Sequence, residues 1–144
     1  MRAKNMAGSL IKQINEALER RANRDLKRIG ITLSQLSVLL LLEDAPHGTM
    51  TLKELERRLC CAQSTTHGLV TRLSIKELVE SREDPDDGRI RIITLTPQGF
   101  QCCEAAGQQI RAVEEELLSS LRPEDRPVFV RCLKQVKEHL IPKD

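Results

Sequence analysis

The chain has 144 residues with 23 Lys/Arg against 21 Asp/Glu, enough for one domain with a core, and its net charge of +2 is too small to point to nucleic acid by itself. No apolar run approaches the ~20 residues of a membrane span, and the start, MRAKNMAGSL, lacks the continuous apolar core of a signal peptide, so the expected location is cytoplasmic. The five cysteines, Cys60, Cys61, Cys102, Cys103 and Cys132, match neither a zinc pattern nor a secreted disulfide framework, so reduced thiols and no bound metal or cofactor are expected.

In chain order, Leu10, Ile11, Ile14, Leu18, Ala22, Leu26 and Ile29 form a 3.6-type stripe, predicting a long charged helix over 10–29 whose stripe needs a partner surface. Gly30 ends it, and Thr32 with Gln35 opens the next helix through a capping box. Residues 36–42 are apolar nearly all round, the pattern of a central helix buried on every side, until AlaProHisGly breaks it. A T-x-x-E capping box at Thr51 and Glu54, with Leu52, Leu55 and Leu59 three to four apart, predicts a short amphipathic helix ending near Cys60.

After the CysCysAla break, residues 64–76 place Thr66, Leu69, Val70, Leu73 and Lys76 on one face and leave Gln63, Ser64, Thr65, His67, Thr71 and Arg72 for a partner. Two strand-like runs follow, 79–83 and 90–95, around an AspProAspAspGlyArg loop. Thr96 caps and Pro97 starts a helix of about twenty residues through Val113, Leu117 and Leu118, and Pro123 begins a last one through Val128, Val130, Leu133, Val136 and Leu140. Two short helices, a hairpin with a charged tip and a new helix start give the order of a winged helix-turn-helix.

The run LVESREDPDDGRIRIITLTPQG over 78–99 resembles the wing signature of the MarR family of bacterial transcriptional regulators: an Asp-x-Arg at the tip, here Asp87 and Arg89, then a strand and Leu-Thr-x-x-Gly, here Leu95, Thr96 and Gly99. The flanking helices extend the resemblance over almost the whole chain. It implies a mainly α fold over 1–144: a winged helix-turn-helix with a reading head at about 32–96, a short β-hairpin wing, and N- and C-terminal dimerisation helices at about 1–30 and 97–141. It also implies a homodimer on a pseudo-palindromic operator in double-stranded DNA, acting as a repressor released by a small-molecule effector. Asp87, by the same resemblance, pairs with an arginine to hold the tip. Glu77 stands where the family often has Gly, predicting a different turn conformation. Ala62 cannot cap the recognition helix, so a later start at Ser64 is expected, and Gly68 costs roughly 1 kcal/mol in mid-helix.

Donors and acceptors distinguish all four base pairs only in the major groove, where a recognition helix brings the side chains of its N-terminal half. Ser64 and Thr65 fit as hydroxyl contacts, His67 as the largest polar group of the exposed face, and Gly68 as a point of close backbone approach. The bland reading is that Ser and Thr cap a helix and His67 is solvated. Arg89 on a narrow hairpin suits a minor groove, against the alternative of an ordinary AspAspGly turn. Thr71 completes the polar face, Arg72 and Arg82 are candidate phosphate clamps with Arg91 a third, and each arginine is as easily a solvated charge.

Two further readings are a redox-sensing regulator and a protein-binding winged-helix scaffold, against which Arg89 speaks. For the first, Cys60 is expected to be accessible at the turn and Cys61 to be a small buried hydrophobe. Cys102 and Cys103 fall near a helix start that lowers thiol pKa, one of them facing outward. No Gly-rich phosphate loop, H-E-x-x-H or nucleophile elbow is present, and His47, His67 and His139 lie far apart, so no enzyme is expected.

Overall fold

The computed structural model describes residues 5–141, so residues 1–4 of the expected N-terminal dimerisation segment at about 1–30 lie outside the described residues. Six helices and three strands follow in the order α1 (Ala7–Leu26), α2 (Leu33–Asp44), β1 (Thr49–Thr51), α3 (Leu52–Leu59), α4 (Gln63–Ile75), β2 (Val79–Glu83), β3 (Arg91–Leu95), α5 (Pro97–Ser119) and α6 (Asp125–Leu140). The chain divides into two compact units, one up to Ile110 and one from Arg111.

In the first unit, α1 buries Ala22 and Leu26, while Leu10, Ile11 and Ile14 on the same stripe stay exposed. Its end is set by Gly30, whose φ of +84° is a left-handed stop and whose N–H donates to the carbonyl of Leu26 at 3.1 Å. Thr32 and Gln35 then form both bonds of the expected capping box. Leu36, Val38, Leu39 and Leu42 of α2 are fully buried, because α2 packs on α1, α3, α4 and β3. The helix is not buried on every side as its sequence suggested: Leu40 is 37% exposed.

The sheet is antiparallel in the order β1-β3-β2, with Thr49 opposite Thr94 and Val79 opposite Leu95. Alternation along β3 turns Ile93 and Leu95 into the core, where they join Leu26, Leu36, Leu39, Leu42, Leu55 and Leu73. Each such side chain contributes about 1.5–3 kcal/mol by leaving water. The strand β1 was not anticipated. Three residues are too few for a readable period, and Thr49 is recruited from afar, its hydroxyl lying 3.2 Å from that of Thr94.

Leu-Thr-x-x-Gly has a local physical cause. The Thr96 hydroxyl accepts from the N–H of Gly99 at 3.0 Å and donates to the carbonyl of Glu77 at 2.7 Å. This draws the first turn of α5 onto the end of the hairpin so closely that a Cβ at Gly99 would strike the carbonyl oxygen of Leu78. Glycine is therefore required there by space.

In the second unit α6 starts at Asp125 rather than at Pro123, with Arg122 donating to the Asp125 carboxylate at 2.8 and 3.3 Å across the turn. None of the residues of α6 is buried. Val128, Leu133, Val136 and Leu140 lie exposed along it.

Candidate nucleic-acid interface

The helix α3 ends where Cys60 takes a left-handed conformation, φ +53°, and α4 begins three residues later at Gln63. The expected later start at Ser64 does not occur. The carbonyl of Ala62 already accepts from the N–H of Thr66 at 3.1 Å, closing the first turn, and no described side chain caps the helix. The first amides of α4 thus stand at an exposed helix start beside Gln63, Ser64 and Thr65, with the positive end of the helix dipole.

Thr66, Leu69, Val70 and Leu73 are buried, and Gln63, Ser64, Thr65, His67, Thr71 and Arg72 are exposed, as the spacing predicts. The Thr71 hydroxyl donates back to the carbonyl of His67 at 2.9 Å. Gly68 is half-buried, and a guanidinium nitrogen of Arg72 lies 3.5 Å from where its Cβ would be, an ordinary van der Waals distance, so a small side chain would also fit there.

Lys76, expected on the core face, is instead exposed, with its ammonium reaching the α1–α2 corner. Glu77 was expected to alter the turn, yet at φ +60° it occupies the left-handed region that favours glycine. For a non-glycine residue this costs about 1–2 kcal/mol. Thr96 on its carbonyl helps to hold it.

At the wing tip, Asp84 accepts from the backbone N–H of Asp86 at 2.7 Å and of Asp87 at 3.2 Å, forming the turn from its own side chain. Asp87 then grips Arg89 three times: its carboxylate accepts from the backbone N–H at 3.1 Å, from Nε at 3.1 Å and from Nη2 at 3.3 Å. These bonds from Arg89 hold the Asp87 carboxyl below its ordinary range. The arginine that Asp87 pairs with is therefore the tip arginine itself, and its side chain remains 92% exposed.

Arg82 and Arg91 lie on opposite faces of the wing, since Arg82 pairs in register with Ile92, the neighbour of Arg91. Arg91 is further tied to the Ser81 hydroxyl at 2.9 Å. The two cannot serve one phosphate together.

The MarR family model matches residues 29–90, spanning α2 to the wing tip. The transcriptional regulator YwoH of Bacillus subtilis is 32% identical over 123 residues, covering 83% of this chain and 88% of that protein. The chain belongs to the MarR family. Another relative, the transcriptional repressor NicR of Pseudomonas putida, is 31% identical over 106 residues, 74% of this chain and 66% of that one. Among solved structures, a MarR variant of Escherichia coli complexed with operator DNA superposes with a TM-score of 0.80 at 28% identity, covering 90% of this chain and 91% of that chain.

In this MarR-family chain Cys60 is accessible as expected, while Cys61, Cys102 and Cys103 depart from expectation. All five are free thiols, with Cys60, Cys61 and Cys132 exposed. Cys61, expected to be buried, lies with its sulfur 3.4 Å from the carbonyl of Leu59. Cys102 and Cys103 are both buried, so neither faces outward. Burial pushes both thiols up; the charge of Lys76 offsets part of the rise at Cys102, whereas at Cys103 Glu43 adds to the rise and the pKa reaches about 12. Desolvation on the inner face of α5 thus outweighs the nearby helix start, which removes both from the accessible thiolates that a redox sensor needs. Among the described residues no group of three His, Cys, Asp or Glu is placed to hold a metal ion.

Proposed function

We propose that this chain is a sequence-specific transcriptional regulator that binds a pseudo-palindromic operator in double-stranded DNA as a homodimer in the cytoplasm, acting as a repressor released by a small-molecule effector. One observation carries the reading: α4 turns an uncapped, polar first turn outward, and the same unit holds up a hairpin whose exposed tip arginine is braced by Asp87. Ser64, Thr65 and His67 are assigned to base edges in the major groove, and Arg89 to the minor groove, where the potential is most negative. Arg72 and Arg82 take phosphates, which position the head without specifying sequence. Gly68 serves by letting the backbone approach the DNA closely, Thr71 by lining the same face, and Arg91 by bracing the wing at Ser81.

Membership of a family of regulators supports this reading, as does the likeness to a protein solved on operator DNA. Homodimerisation is supported within each unit by apolar side chains left exposed along a helix, Leu10, Ile11 and Ile14 on α1 and Val128, Leu133 and Val136 on α6. Two recognition helices would then meet successive major grooves about 34 Å apart. An effector that changes the angle between reading head and dimer helices would lose one of the two grooves.

Selection of bound sequences from random duplex DNA at a fixed salt concentration tests the proposal. Enrichment of a two-fold symmetric site with half-sites one helical turn apart is the expected result. Recovery of no preferred sequence by a folded protein would overturn it.

A further inference from the structure

We infer that Lys76 is a positioning residue for DNA reading: its ammonium ties the last turn of α4 to the corner between α1 and α2, and so sets the angle at which α4 is presented. The inference rests on the DNA-reading function proposed above. Lys76 follows the last residue of α4 as its C-cap, its own N–H still donating to the carbonyl of Arg72. Its Nζ donates to the carbonyl of Gly30 at 2.5 Å and to Gln35 Oε1 at 2.9 Å, partners 46 and 41 residues away in sequence.

Both acceptors are themselves held in place. Gly30 has left the α1 ladder through its left-handed φ, which frees its carbonyl to meet the lysine. Gln35 is only 5% exposed, and the oxygen that receives Lys76 also accepts from the N–H of Thr32 at 3.3 Å in the capping box of α2. An ammonium on two neutral oxygens is a charge-assisted contact with no competing carboxylate in it. Its charge also reaches the buried Cys102 on α5.

The opposite side of the same turn is gripped by Thr96, whose hydroxyl donates to the carbonyl of Glu77 and whose N–H donates to that of Leu78 at 3.1 Å. The recognition helix is therefore clamped at the end remote from the base-reading residues. From Lys76 to Gln63 it runs about 20 Å, so a tilt of roughly 10° at the clamp moves the reading end by roughly 3 Å, the length of a hydrogen bond. Because α1 is one of the proposed dimer helices, the same contact would carry a change in that helix to α4.

The test compares Lys76→Met, Lys76→Arg, Gln35→Met and the double variant Lys76→Met/Gln35→Met in the full chain. Binding to the sequence selected by the unaltered protein is measured as a function of salt, and to duplexes with half-site spacing changed by one base pair. Lys76→Met is expected to weaken binding about tenfold with an unchanged salt slope and a relaxed spacing preference. Lys76→Arg should recover most of the loss, and Gln35→Met should add little to Lys76→Met. A salt slope reduced by about one with spacing preference intact would mean that Lys76 is a phosphate contact, and would overturn the inference. Fully additive effects would overturn it as well.

Amide hydrogen exchange of the free proteins separates this failure from failure of the DNA-reading proposal. Faster exchange at residues 32–36 and 76–78 in Lys76→Met supports the clamp whether or not an operator is found, and unchanged exchange there overturns it. Should Lys76→Met not fold, Gln35→Met supplies the comparison at residues 76–78 with the lysine in place, because exchange at 32–36 would also report the loss of its capping bond to Thr32.

Discussion

At its C-terminal end α4 is gripped from two sides, by Lys76 reaching Gly30 and Gln35 and by Thr96 reaching Glu77 and Leu78. At its N-terminal end Ala62 supplies no side-chain cap, and Gln63, Ser64 and Thr65 are exposed. One helix thus carries tertiary hydrogen bonds where its direction must be set and leaves donors open where a phosphate or base edge would supply the acceptors. Ser, Thr, Asp or Asn at position 62 would cap the helix better, so the alanine there sacrifices stability at the end proposed to meet DNA.

The strongest way to break this contrast is at the clamped end. Gly99→Ala places a methyl against the carbonyl oxygen of Leu78 and is expected to destabilise the protein by about 3 kcal/mol in urea unfolding, at the upper end for an overpacked site. A loss below about 1 kcal/mol, within what well-tolerated core swaps cost, would show that the end of α4 yields easily and is no rigid anchor.

Arg89→Ala acts on the presenting side alone. We expect operator affinity to fall at least tenfold, about 1.4 kcal/mol, with thermal stability within about 0.5 kcal/mol of the parent, since the side chain is exposed. Equal affinities in a salt-controlled gel shift would remove the tip arginine from the interface.

Ala62→Asp sharpens the contrast from the free end. A side-chain cap and a negative charge at the positive end of α4 should raise stability by about 1 kcal/mol, while operator binding weakens because the carboxylate occupies the amides intended for DNA. Stability and affinity rising together would count against the open end as a binding feature.

The thiols give the mildest probe of the same two ends. Iodoacetamide at pH 8 should modify Cys60 and Cys61, which precede the free end, and spare Cys102 and Cys103 on the packed face of α5, as read by peptide mass spectrometry. The pH dependence follows in sign. With folded thiol pKa values raised above the unfolded value near ~8.5, the stability from neutral Cys102 and Cys103 is complete below that value. It is lost as pH rises from there towards about 12, where Cys103 ionises in the folded protein. The urea midpoint should therefore be lower at pH 10 than at pH 8, and replacing Cys103 by Ala should reduce that difference.

Features closed within three or four residues were legible in the sequence. The capping boxes at Thr32 and Thr51, the inward face of Thr66, Leu69, Val70 and Leu73, the glycine stop at Gly30 and the hairpin loop all express local sterics and a short period. That Asp87 pairs with an arginine was implied by the family resemblance, and the structure identifies the partner as Arg89, two residues on. Tertiary structure alone decided the rest: the third strand at Thr49, the exposure of Leu40 and Cys61, the burial of Cys102 and Cys103, and the placement of Lys76, expected on the core face, against Gly30 and Gln35. The strand and the Lys76 contacts depend on partners tens of residues away in the chain. A periodic pattern says which face of a helix turns inward, but desolvation and long-range hydrogen bonds are set by what that face meets.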